Sequence, residues 1–202
     1  REISEMEQTL IAEGMPAEEV KRLCDVHVQV FKESLETQEP PVLTAGHPLH
    51  TLWAENRALE KILFSLEELL QTAGAASLPG ISGALGERLR LDLETLSAIE
   101  KHYLKKENQL FPLLEAKGIS GPSKVMWAIH DDIRAQLKEL KGYAAEGRLA
   151  DVRKLGREVV TEIRDMIYKE EKILFPASLE ALDESDWTRV KHGEEEIGYA
   201  WV

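Results

Sequence analysis

The chain has 202 residues, and its 37 Asp and Glu against 25 Lys and Arg leave a formal net charge of −12 at pH 7. That length, with 43% apolar residues, suffices for one full domain and a small appendage, while the acidic balance argues against nucleic acid and anionic membrane partners. A lone Cys24 excludes an internal disulfide, no apolar run is long enough to span a bilayer and no signal-peptide pattern opens the chain, so a cytoplasmic location is expected.

Helix signals run almost throughout. "ISEMEQTLIAEGMP" reads as a short helix stopped by Gly14, and Pro16 opens a second through "AEEVKRLCDVHVQVFKESL". The prolines and glycine of "ETQEPPVLTAGHP" then break the pattern, which predicts a small helical N-terminal domain over 1–44. Four long amphipathic segments follow over 45–184, separated by "AGAASLPGISG", "EAKGISGPS" and "KGYAAEGRLAD". Short connections between long helices favour antiparallel neighbours, so the fold expected is all-α, an up-down four-helix bundle. Residues 185–202 read as a linker toward a further domain, with "EIGYAWV" alternating like a first strand, as in a fragment of a longer protein.

The helical period assigns a core face to each long segment. The first turns Leu49, Leu52, Trp53, Asn56, Leu59 and Leu63 inward. The second turns in Leu89, Leu96, Ile99, His102, Tyr103, Lys106 and Leu110, with Glu107 at the edge. The third, opened by Ser123 as N-cap, presents Met126, Ile129, His130, Ile133 and Leu137. The fourth presents Val159, Ile163, Met166, Ile167, Glu170 and Leu174, with Glu171 one step off centre. Every stripe thus carries a polar interruption, and buried polar groups cost stability unless they find partners. Converging imidazoles and carboxylates suit a metal ion; a buried hydrogen-bonded network accounts for them equally well. Cys24 and His27 in "LCDVH" and the lone His192 read as packing or surface residues.

"YLKKENQLFP" at 103–112 is answered by "MIYKEEKILFP" at 166–176, so that Lys106 and Glu170 hold equivalent places in two repeats. "HPLHTLWAEN", "HYLKKENQLFPLLE", "HDDIR" and "KEEKILFP", in that order on four helices, resemble the hemerythrin-like (HHE cation-binding) family over roughly 46–182. The preceding "EMEQTLIAEGMPAEEVKRLCDVHVQVF" looks like the small helical domain of unknown function found before this bundle in proteins that continue into a PAS sensor domain. The resemblance implies a di-iron pattern from which the chain departs. Asn56 stands for the first-helix His, Lys106 for the bridging Glu, Arg134 for the second His of the third helix and Met166 for the fourth-helix His, while His102, His130 and Glu170 match.

Two arrangements follow. In one, the Lys106 ammonium takes the metal's place beside Glu170 and the bundle is a metal-free structural or interaction module. In the other, Lys106 turns outward and one transition metal ion, iron first and zinc second, is held by His50, His102, His130 and Glu170, with His47, Glu107 and Glu171 in reserve. The second is the arrangement expected, the first its alternative: the resemblance implies a metal-binding input module of a gas, redox or metal sensor, with a small gas ligand as further partner. An enzyme like the family's iron-storage or repair relatives is the weakest of these readings.

Overall fold

The computed structural model describes residues 42–75 and 83–202, together with Thr9, Gly14, Met15, Glu19 and Leu23. The expected N-terminal helices and the Cys24 and His27 pair lie outside the described residues. Helix α1 spans Pro48–Ala75, with Pro48 supplying the preset φ of a first helical turn. The second bundle element is segmented into α2 (Gly83–Leu96), α3 (Ile99–Lys105), the π-helical turn π1 (Lys106–Leu110) and α4 (Phe111–Ala116). Helix α5 spans Gly121–Ala145, and α6 (Leu149–Lys169) runs through a second π-helical turn, π2 (Glu170–Leu174), into α7 (Phe175–Ala181). Helix α8 (Glu184–Ile197) follows. No described residue lies in a strand, and no helix among them is long and apolar enough to cross a membrane.

The turns follow from local chemistry. Gly118 and Gly147 adopt φ of +85° and +72°, a left-handed conformation that glycine tolerates best. Ile119 N–H then reaches back to Leu114 O and Arg148 N–H to Tyr143 O, both at 2.9 Å, satisfying the last carbonyls of α4 and α5. The short connection between α5 and α6 brings these two side by side, and α6 also packs along α1.

The repeated Leu-Phe-Pro ending has a mechanical role. A proline ring inside a helix clashes with the carbonyl four residues earlier and offers no N–H to it, here Asn108 before Pro112 and Lys172 before Pro176. The ladder responds by widening: Phe111 N–H bonds Lys106 O and Phe175 N–H bonds Glu170 O, both five residues back. The wide turn rotates neighbouring positions toward the core. Glu107, expected at the edge, is accordingly buried beside Lys106.

The leucine, isoleucine and valine stripes form one buried core from Leu49 to Val190. Three expectations are corrected. Trp53 is 40% exposed and lies under Arg57, with 5.2 Å from guanidinium carbon to ring centroid, because a residue one step past Leu52 falls on the helix shoulder. Ser123 is not an N-cap: α5 opens after Ser120 with Pro122 in its first turn, and the buried Ser123 hydroxyl donates to Glu115 at 2.6 Å. "EIGYAWV" is no strand. Asp183 caps α8 by accepting from Ser185 and Asp186 N–H while Asp186 accepts from Asp183 N–H, and the helix ends only at Gly198, with φ +86°. Within the expected linker, α8 lies on α1, α3 and π1.

Candidate functional site

The polar residues of the stripes meet inside the bundle. His102, in the last turn of α3, is fully buried between two carboxylates: its Nδ1 lies 2.8 Å from Glu55 Oε2 of α1, its Nε2 3.1 Å from Glu170 Oε2 at the start of π2. The Lys106 ammonium, one turn along, donates to the other Glu170 oxygen and lies 4.6 Å from the Tyr103 ring centroid. Lys105 Nζ donates to Glu55 Oε1.

A second cluster adjoins the first. The His130 ring on α5 stacks on Tyr103, with 3.8 Å between centroids and 13° between planes, and Phe111 lies parallel at 6.0 Å. His130 Nδ1 lies 2.7 Å from Glu107 Oε1. Arg134 grips the same carboxylate with two nitrogens, at 2.9 and 2.8 Å, and reaches Glu100 on α3 through Nε at 2.8 Å. Because Glu107 accepts, Nδ1 carries the hydrogen and Nε2 the lone pair, and that buried Nε2 has no hydrogen-bond partner.

The electrostatics follow from burial and pairing. Glu55, Glu107 and Glu170 are all buried, and each meets a cation: Lys105, Arg134 and Lys106 respectively. Burial alone would raise the Glu170 carboxyl, yet the Lys106 ammonium and His102 hold it far below the usual range. Burial pulls the Lys106 ammonium below the usual lysine value, and Glu170 opposes that pull. His130 is held well below 6.5 by burial, with the Lys106 charge adding to the effect.

That last shift predicts an acid-sensitive fold. The unfolded histidine takes up a proton near pH 6.5, whereas the folded one resists it. His130 therefore contributes stability that is complete above pH 6.5 and drains as pH falls toward its depressed folded value. Urea midpoints between pH 7 and 5 should fall less steeply for His130→Gln than for the parent; equal slopes would place the titrating group elsewhere.

Of the four residues expected to share a site, His102 and Glu170 are in contact, and His130 stacks on Tyr103, the residue after His102, without a hydrogen bond to either. His50 is half-buried in the first turn of α1 and shares no hydrogen bond with those three. His47 precedes the helix, where its Nδ1 accepts from Leu49 N–H at 3.1 Å and its ring lies 4.5 Å from that of Trp187. Asn56 is buried and donates to Glu171 at 3.2 Å. Sequence reasoning missed Glu55, Lys105 and the burial of Glu107. Glu55 was findable: it stands three residues after Leu52 and four before Leu59, on the apolar period itself.

No curated protein matches the chain. Residues 1–37 match a family of unknown function, DUF438. Residues 47–178, which hold all the clustered charges described above, match the hemerythrin HHE cation binding domain. With that match covering well over half of its length, the chain belongs to the hemerythrin HHE cation binding domain family, a family of metal-binding modules.

Proposed function

We propose that this bundle is a non-catalytic input module of a sensor whose core cation is the Lys106 ammonium, held where the family holds a metal ion. The observation that carries the reading is the buried Lys106–Glu170 pair. The residues present do not fit the family's metal centre. Both ring nitrogens of His102 face carboxylates, Glu170 already carries a cation, Arg134 offers no ligand and Met166 only a soft thioether in place of an imidazole, and among the described residues no three His, Cys, Asp or Glu side chains are gathered to hold an ion. Charge balance argues the same way, because a divalent ion added to three paired carboxylates would face Lys106 at close range.

Elemental analysis of protein incubated with Fe²⁺ and Zn²⁺ and then desalted tests this. The expected content is below about a tenth of an ion per chain; about one ion per chain overturns the proposal. That second outcome would favour the other reading, a single ion of iron or zinc on His102, His130 and Glu170, with His50 as fourth ligand, available to a small gas ligand once Lys106 withdraws. Its support is the unpartnered Nε2 of His130, backed at Nδ1 by Glu107 as ligating histidines commonly are.

A further inference from the structure

Glu55 belongs to two structures at once. Its Oε2 faces His102, while its Oε1 accepts from the backbone N–H of Ala200 at 2.7 Å, in a spot where Ala200 is fully buried. Ala200 lies in the short segment after α8. On one side of it, the Tyr199 ring has the Lys105 and Lys191 ammonium groups at 5.2 and 5.8 Å from its centroid. On the other, the Trp201 indole N–H donates to Thr95 O at 2.7 Å. Trp201 also has φ of +61°, alone among the described non-glycine residues in being positive. Such a conformation is strained for a tryptophan and persists only where the surroundings over-determine it. Helix α8 is seated closely as well: a Cβ on Gly193 would fall 2.0 Å from the Gln109 side chain of π1.

The buried carboxylate therefore joins the core network to a strained segment outside the bundle. Resting on the reading of the bundle as an input module, we propose that residues 198–201 form a latch whose docking is set by the core through the relay Glu170, His102, Glu55 and Ala200 N–H. The relay is contiguous, with steps of 3.1, 2.8 and 2.7 Å. A change at Glu170 alters what holds the His102 ring; a shifted ring leaves Glu55 Oε2 without its partner, and the carboxylate, then held only at Oε1 by Lys105, turns about that contact and no longer offers Ala200 a fixed acceptor. The strain at Trp201 favours release once that hydrogen bond is gone. The state of the core cation is thereby converted into the position of a surface segment, which is what an input module must deliver.

Hydrogen exchange of single backbone amides, followed by NMR on the full chain, tests the latch. Ala200 reports the latch, and Ile133, in the middle of α5, reports opening of the bundle. In Glu170→Gln, Ala200 exchange should accelerate roughly tenfold or more beyond any change at Ile133. His102→Gln should do the same, and the double variant should accelerate Ala200 no further than His102→Gln alone, because the relay is already cut. Where Glu170→Gln fails to fold, Lys106→Met with Glu170→Gln replaces it, removing the buried pair as a unit. Ala200 exchange that follows Ile133 in every variant overturns the latch. Metal content of the parent sample separately judges the Lys106 reading, so the two can fail independently.

Discussion

Lys106→Met is expected to destabilise the chain by about 3 to 5 kcal/mol, the cost typical of leaving one member of a buried ion pair behind. Glu170 is 1% exposed and is ion-paired with the Lys106 ammonium, with His102 Nε2 at 3.1 Å as its other partner. Without the ammonium, the burial that opposes its charged form is met by His102 alone. The sign can be checked by pH: the folded carboxyl is depressed, so its stabilising effect is present above about pH 4.5 and drains as pH falls toward the folded value. Lys106→Met should lose that effect at neutral pH. The double variant Lys106→Met with Glu170→Gln should recover much of the loss, since no uncompensated charge remains. Urea midpoints of the parent, single and double variants decide; three equal midpoints would mean that the two groups do not pair in the core.

The second large effect is expected from Lys106→Glu. This change places another carboxylate beside Glu170 and removes the cation that balanced it, so in chelator the variant should be less stable than Lys106→Met. Added divalent metal should then restore it, because the site becomes rich in carboxylate and imidazole, with His130 Nε2 still unpartnered. Saturation at a hundred times the dissociation constant would contribute about 2.7 kcal/mol. The parent, holding its own ammonium, should melt at the same temperature with and without metal. A Lys106→Glu protein indifferent to Fe²⁺ and Zn²⁺, or a parent stabilised by them, would remove the claim that the Lys106 ammonium stands in the place of a metal ion.

The bundle was legible because a helical period is a local property. Leu49, Leu59, Leu63, Ile99, Leu110, Ile129, Ile133, Val159, Ile163 and Leu174 were all assigned inward from spacing, and all are buried. His102, Lys106, His130 and Glu170 were located by the same count, as polar breaks in apolar stripes. Trp53 differs because an apolar ring does not fix phase: its angle on α1 is wrong for the core. Glu55 is the converse, a charged residue whose phase is that of Leu52 and Leu59.

Glu107 could not be read from a regular period at all. Its burial depends on π1, where Pro112 displaces the ladder by one residue and brings Glu107 inward beside Lys106. The two prolines are visible in the sequence; how far the wide turn rotates each face is set by what packs against it, here His130 and Arg134 from α5.

The sequence by itself determined the all-α class, the helix-breaking turns, the core stripes and the place of Lys106 as a polar break in one of them, since each depends on residues within a few positions of one another. Only the tertiary structure decided which charges pair. Glu55 and His102 are 47 residues apart, and no local rule states which partner a buried carboxylate will meet; for Lys106 and Glu170, 64 apart, the repeats suggest a pairing, and only the packed bundle chooses it over an outward lysine. Ala200, 145 residues from Glu55, is the extreme case. Its backbone N–H is identical to every other in the chain, and nothing in its side chain marks it. Desolvation is the physical reason: a charge taken out of water must be satisfied by whatever donor the packed helices bring within reach, and that is a property of the assembled bundle.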